Sequence, residues 1–165
     1  MTHAPAPAAW LVWLEASSLA VAMRQWLWLY PIVEIVHIIG FVMLVGSAVM
    51  FDLRLLGVSR HLPVADMAQH LLPWSRSGLL LIVPSGLMMF SAHATEMAAN
   101  PAFRLKLLLI VVAGLNAAAF HVGVFKSVVI WNRDAPAPAA AKISAMLSLA
   151  LWTGVLSCGR LLAYL

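Results

Sequence analysis

Trp28-Leu-Tyr-Pro-Ile-Val-Glu-Ile-Val-His-Ile-Ile-Gly-Phe-Val-Met-Leu-Val-Gly-Ser-Ala-Val-Met-Phe-Asp52 holds two acidic residues, one histidine and neither Lys nor Arg. As a helix rising about 1.5 Å per residue it extends about 37 Å, enough to cross a hydrocarbon core about 30 Å thick. Trp26, Trp28 and Tyr30 form an aromatic belt at its start, where amphipathic rings favour the headgroup level. Pro31 suits a first helical turn, whose N–H has no partner to lose.

Three more stretches read the same way: residues 73–92, containing Pro84, then 103–131 and 143–164. A proline inside a span is tolerated because neighbouring helices can satisfy the freed carbonyl. Residues 9–25 are different. Glu15, Ser17 and Ser18 interrupt a tryptophan-containing apolar run, which predicts a helix lying in the interface rather than crossing it. The expected fold is therefore all-α, an integral membrane four-helix bundle with an N-terminal interfacial helix. Residues 1–27 form the tail and amphipathic helix, and residues 28–165 the transmembrane domain.

Composition agrees. The 165 residues are 64% hydrophobic and 10% charged, whereas an average soluble domain is roughly 25% charged. The net charge of +4 comes from scattered Lys and Arg, with no basic run, so a nucleic-acid partner is excluded. Cys158 is the single cysteine, which rules out an intramolecular disulfide or a cysteine-based metal centre within one chain. Residues 1–9 lack the basic segment of a cleavable signal. Nine methionines form no Met-x-x-Met or Met-x-Met cluster, so they read as packing residues rather than as copper(I) ligands. No hydrolase motif, phosphate-binding loop or internal repeat is visible.

Basic residues near the span ends suggest an orientation. Arg54, Arg60, Arg76, Lys126, Arg133 and Lys142 fall on one side, against Arg24, Arg104, Lys106 and Arg160 on the other. The larger group marks the cytoplasmic face, which puts both termini outside the cytoplasm. The segment 53–72 between the first two spans has room for a short surface helix.

An ionisable side chain at bilayer depth is costly and marks function by default. His37 lies about 14 Å below the Trp28 level. His121 sits in the third span, with an expected depth about 12 Å from that of His37. His70 and His93 fall at opposite ends of the second span, while His3 and His61 lie in the tail and a loop. Imidazoles in a membrane bundle ligate haem or another metal, relay protons, or hydrogen-bond between helices. Small residues such as Gly40, Gly46, Gly114 and Gly123 leave room for a flat macrocycle, and they equally serve close helix packing.

Helical periodicity places Glu34, His37, Phe41, Leu44, Ala48 and Asp52 on one stripe of the first span. Glu34 is then a candidate to orient His37. On the third span Lys106, Ile110, Ala113, Ala117 and His121 form a comparable stripe. Lys106, Arg54 and Arg160 are cationic candidates for a buried carboxylate.

The block from His37 through Gly46 to Phe51-Asp-Leu-Arg-Leu-Leu-Gly57, with Pro84-Ser-Gly86, Asn100-Pro-Ala-Phe-Arg-Leu-Lys106, Asn116 and His121, resembles a family of small bacterial inner-membrane proteins of unassigned function. More remotely it is similar to the haem-binding membrane protoporphyrinogen oxidase and copper-resistance D group. The resemblance covers about residues 28–126. It implies a b-type haem on His37 and a functional lysine at Lys106. Asp52-Leu53-Arg54 stands where the oxidase pattern has Pro-Arg-Leu, and His121 is one turn out of register, so the resemblance implies haem binding rather than porphyrinogen oxidation.

The resulting expectation is a b-type haem protein of the bacterial inner membrane that transfers electrons. Its partners would be membrane lipid, a redox protein or quinone, and a homo- or hetero-oligomer. One haem between His37 and His121 is preferred. A two-haem arrangement would pair His37 with His93 and His70 with His121. The alternatives are a haem-dependent oxidase acting on a porphyrinogen or quinone, and a cofactor-free structural subunit.

Overall fold

A computed structural model of the chain describes residues 8–162 and Tyr164. His3, and with it the start of the predicted N-terminal unit, lies outside the described residues. Among these the structure is all-α: α1 (Ala9–Glu15), α2 (Ser18–Gln25), α3 (Leu29–Leu56), α4 (Val64–Ala92), α5 (Ala94–Ala99), α6 (Pro101–Val122), a 3₁₀ turn (Val124–Ser127), α7 (Val128–Trp131) and α8 (Ala139–Leu161). Four segments have the length and apolarity to cross a membrane: α3, α4, α8, and α6 continued through α7. Their flanks expose Ile32, Ile35, Val42, Leu80 and Leu115, the surface expected of helices solvated by lipid. The protein is a multi-pass membrane helical bundle.

Several boundaries differ from the sequence reading. The predicted interfacial helix is two helices, because the Ser17 hydroxyl accepts from Ala20 N–H and starts a new helix there. Residues 64–72 belong to α4, which runs unbroken through both Pro73 and Pro84, so no separate surface helix forms. The third span stops being α-helical at Gly123 (φ −102°, ψ −94°). Its start is well specified: Asn100 Oδ1 accepts from Ala102 N and Phe103 N at 2.8 and 3.4 Å, ahead of Pro101.

α1, α2 and α5 lie at the end of the bundle where α3 begins, here the capped end. The α3–α4 connection, α7 and the 132–138 segment lie at the other, the loop end. At the capped end Glu15 accepts from Thr95 N and Thr95 Oγ1, both at 2.8 Å. Arg24 joins the Ala92 and Glu15 carbonyls, each at 2.8 Å. These bonds clamp α1 and α2 onto α4 and α5. The Thr95 backbone N–H holds the Glu15 carboxyl below the usual carboxylate range, helped by the Thr95 hydroxyl and Arg24 and opposed by burial.

The loop end is organised by Arg54, only 2% exposed. It donates to Leu62 O at 2.6 Å, Arg60 O at 2.9 Å and Asn132 O at 3.2 Å. Gly57, at φ 109°, turns the chain into this knot with a conformation that side chains disfavour.

α3 packs mainly on α4, and α6 on α8, with the two pairs joined through α3 and α8. The α3–α4 contact is backbone on backbone. A Cβ on Gly78 would lie 2.6 Å from Gly40 O and 2.7 Å from Leu44 N, so glycine is required for this approach. Buried apolar clusters occupy the two ends. Met23, Val33 and Ala92 fill the capped end, and Leu55, Phe120, Trp131 and Ala145 belong to the loop-end cluster. The middle is hollow.

Candidate functional site: a histidine-lined cavity open between two helices

The hollow is a cavity of about 800 Å³. α4 and α6 border it with their backbones held apart. Their gap is bridged near the capped end by the stacked rings of Phe90 and Phe103, 5.3 Å apart. The loop end is closed by Phe51, Phe120 and Phe125, at 5.8–6.4 Å. Between these closures α4 and α6 make no backbone contact, and the cavity residues on this side, Leu79, Val83, Leu87, Leu107 and Ile110, are apolar.

Both predicted stripes face inward. His37, Phe41, Leu44, Ala48 and Asp52 line the cavity from α3, and Lys106, Ile110, Ala113, Ala117 and His121 line it from α6. Glu34 does not. It is exposed near the capped end and lines no part of the cavity, so it does not orient His37.

Ser85 takes that place. His37 Nδ1 lies 3.0 Å from Ser85 Oγ. The one proton of this hydroxyl is directed back to carbonyls of its own helix, Leu81 O and Ile82 O. Ser85 Oγ therefore accepts, the His37 proton is assigned to Nδ1, and Nε2 keeps a free lone pair. Gly86 lets the ring lie against α4, since a Cβ there would stand 3.2 Å from His37 Cε1. The Gly40–Gly78 approach, one turn away, sets this register.

His121 shows the same tautomer. Its Nδ1–H donates to Ala117 O at 2.8 Å, a group that can only accept. Nε2 is buried and has no partner among the described residues. Asp52 Oδ2 is likewise buried and unpartnered. Nearby, Asn116 and Ser144 satisfy each other: Asn116 Nδ2 donates to Ser144 O and Ser144 Oγ to Asn116 Oδ1, both at 3.0 Å.

Depths follow from the contacts. Phe90 faces Phe103; Gly86, against His37, lies about 6 Å further in, and Lys106 about 4.5 Å further in. His37 and Lys106 therefore stand at nearly one level on different walls. Among the described residues Lys106 has no hydrogen-bond or ion-pair partner, and its Nζ would be 3.6 Å from a Cβ on Gly159. His121 is level with Phe51, because Phe120 packs on Phe51. That is fourteen residues beyond His37, or about 21 Å. Metal–imidazole bonds are about 2 Å long, so this arrangement does not bring the two histidines to one iron. The separation exceeds the expected 12 Å because the Phe51–Phe120 contact sets α6 against α3 with His121 level with the end of α3.

The other candidates lie elsewhere. His93 is exposed at the capped end, edge-on to Tyr30 at 6.4 Å. His70 borders a separate shallow pocket with Met50 and Trp74. Neither shares the cavity with its proposed partner in a two-haem scheme. Arg54 uses its donors on loop carbonyls, and Arg160 donates to Tyr164 Oη at 2.7 Å, so neither reaches the cavity. Ser85 and the unpartnered Asp52 oxygen are what residue-by-residue reading missed. Their signals were a serine directly after the span proline and an acid ending the histidine stripe.

Fold and cavity together define an all-α multi-pass membrane protein built around an internal cavity. The chain belongs to a family of unknown function (DUF6644), whose model matches residues 10–165. No curated protein and no solved structure matches it.

Proposed function

We propose that the protein binds one b-type haem through His37 and transfers electrons within or across a bacterial inner membrane, with both termini on the periplasmic side. The observation that carries this reading is the His37–Ser85 pair. A ligating imidazole normally donates its other N–H to an oriented acceptor, which fixes the tautomer and the ring plane; His37 has that acceptor, and its residue lines the cavity.

The donor set suits haem better than a metal held by side chains alone. Among the described residues no three His, Cys, Asp or Glu side chains cluster as a metal site. A haem would bring its own four nitrogens and would need from the protein only an imidazole such as that of His37. The cavity volume lies in the range of small-molecule and cofactor sites. Lys106, level with His37 and unpaired, is placed to hold an acidic substituent through a charge-assisted hydrogen bond. When bound, haem supplies a one-electron couple. The chain's part is to fix the His37 ring, to surround the ligand with Phe41, Leu44 and Leu79, and to neutralise carboxylate charge through Lys106.

The test is a reduced-minus-oxidised optical spectrum of the purified protein. A sharp b-type band is expected, and its absence overturns the proposal. His37→Ala should abolish haem retention, and Ser85→Ala should weaken it about 10–100-fold, as removal of a ligand's supporting partner generally does.

A further inference from the structure

The loop end of the cavity has features that the His37 site does not use. Asp52 is 6% exposed and its Oδ2 has no partner. His121 Nε2 is also buried without a partner. The two residues stand at one level, because their neighbours Phe51 and Phe120 pack edge to face at 5.8 Å. Leaving two polar atoms of this kind unpaired at bilayer depth is costly. Such a pair is retained when a ligand completes it.

The chemistry of that ligand can be read from the two atoms. With Nδ1–H held by Ala117 O, His121 Nε2 can only accept a hydrogen bond. The ligand must therefore bring a donor. A hydroxyl donates to Nε2, and a second hydroxyl on the same ring donates to the free Asp52 Oδ2. Phe51, Phe120 and Leu55 around the site favour a flat ring behind those hydroxyls. The side gap between α4 and α6 is apolar and faces lipid, so the ligand arrives from the bilayer and leaves any tail there. We infer that Asp52 and His121 form a binding site for a lipophilic hydroquinone, separate from the His37 site and reached laterally between α4 and α6.

The inference deepens the electron-transfer reading by naming the class of molecule that would exchange electrons with the protein, yet the binding itself needs no haem. A quinone, the oxidised form, carries only acceptors at its ring oxygens and meets an acceptor at His121. The site therefore prefers the reduced ring, and this preference is its signature.

The test uses the full-length protein in lipid nanodiscs under anaerobic conditions without added reductant, so that each probe keeps its oxidation state. Binding of decyl-benzohydroquinone, decyl-benzoquinone and decylbenzene is measured by calorimetry, and haem content is read from the same samples. The hydroquinone should bind at least tenfold more tightly than the quinone or the hydrocarbon. His121→Leu and Asp52→Leu should each remove most of that preference while decylbenzene binding persists, which shows that the cavity is intact. Haem content in His121→Leu should equal that of the wild type. Equal binding of the three probes, or a preference that survives both substitutions, overturns the inference. Failure of the haem reading appears separately, as a missing b-type band with the hydroquinone preference retained.

Discussion

Replacing Arg54 with Met keeps most of the side-chain stem and removes every donor of the guanidinium. Three backbone carbonyls lose a partner, but unequally. Asn132 O keeps Val64 N–H at 3.0 Å and Arg60 O keeps Asp134 N–H at 3.3 Å. Leu62 O has no other recorded partner among the described residues. The expected cost is one orphaned carbonyl, about 1–3 kcal/mol, plus two weakened ones at roughly 0.5–1 kcal/mol each. The total is about 2–5 kcal/mol. For a chain of this size that corresponds to a melting shift of roughly 4–20 °C. Cys158, the chain's one cysteine and 4% exposed, provides the assay: a thiol-reactive dye reports unfolding as temperature rises in detergent. Arg133→Met is the control, because its contact with Asp134 is long, 3.8 Å, and exposed, and such pairs contribute little. If Arg54→Met melts with the control, Arg54 does not hold the loop end together and the cationic site prediction for it reopens.

Gly78→Ala would drive a Cβ into α3 backbone and should cost about 1–3 kcal/mol, lowering the Cys158 dye transition; Gly114→Ala, where nothing lies within 4 Å, should leave it unchanged. The clamp of α1 onto α5 should depend on pH. Because Thr95 depresses the folded-state pKa of Glu15, its stabilisation is fully present above the unfolded value of 4.5 and is lost as pH falls through the lower folded value. The hydrogen-exchange protection of residues 9–25, taken relative to intrinsic exchange at the same pH, should therefore fall in acid, and Glu15→Gln should remove most of that dependence; equal acid sensitivity in the variant would assign the effect to another group.

Class and architecture were legible because membrane insertion is a local requirement. Each span must be apolar over its own length, and any window of the chain reports that directly. The inward stripes of α3 and α6 were legible because the few ionisable residues at span depth, His37 with Asp52 and Lys106 with His121, fall on one helical period of their own span. Glu34 marks the limit. It shares the period of His37, but one turn closer to the capped end the bundle surface has already turned away from the cavity.

Choices that depend on two segments at once were decided only by the tertiary structure. Ser85 became the partner of His37 because Gly40 and Gly78 let two backbones touch, and neither glycine reveals its mate in the sequence. Arg54 became a structural knot because Leu62, Arg60 and Asn132 bring their carbonyls to it from separate loops. The separation of His37 from His121 depended on how α3 aligns with α6, which the Phe51–Phe120 contact sets. The sequence by itself determined that histidines would face a space inside a membrane bundle. Packing decided that they face it from opposite ends, since the period of one helix carries no record of its height relative to the next.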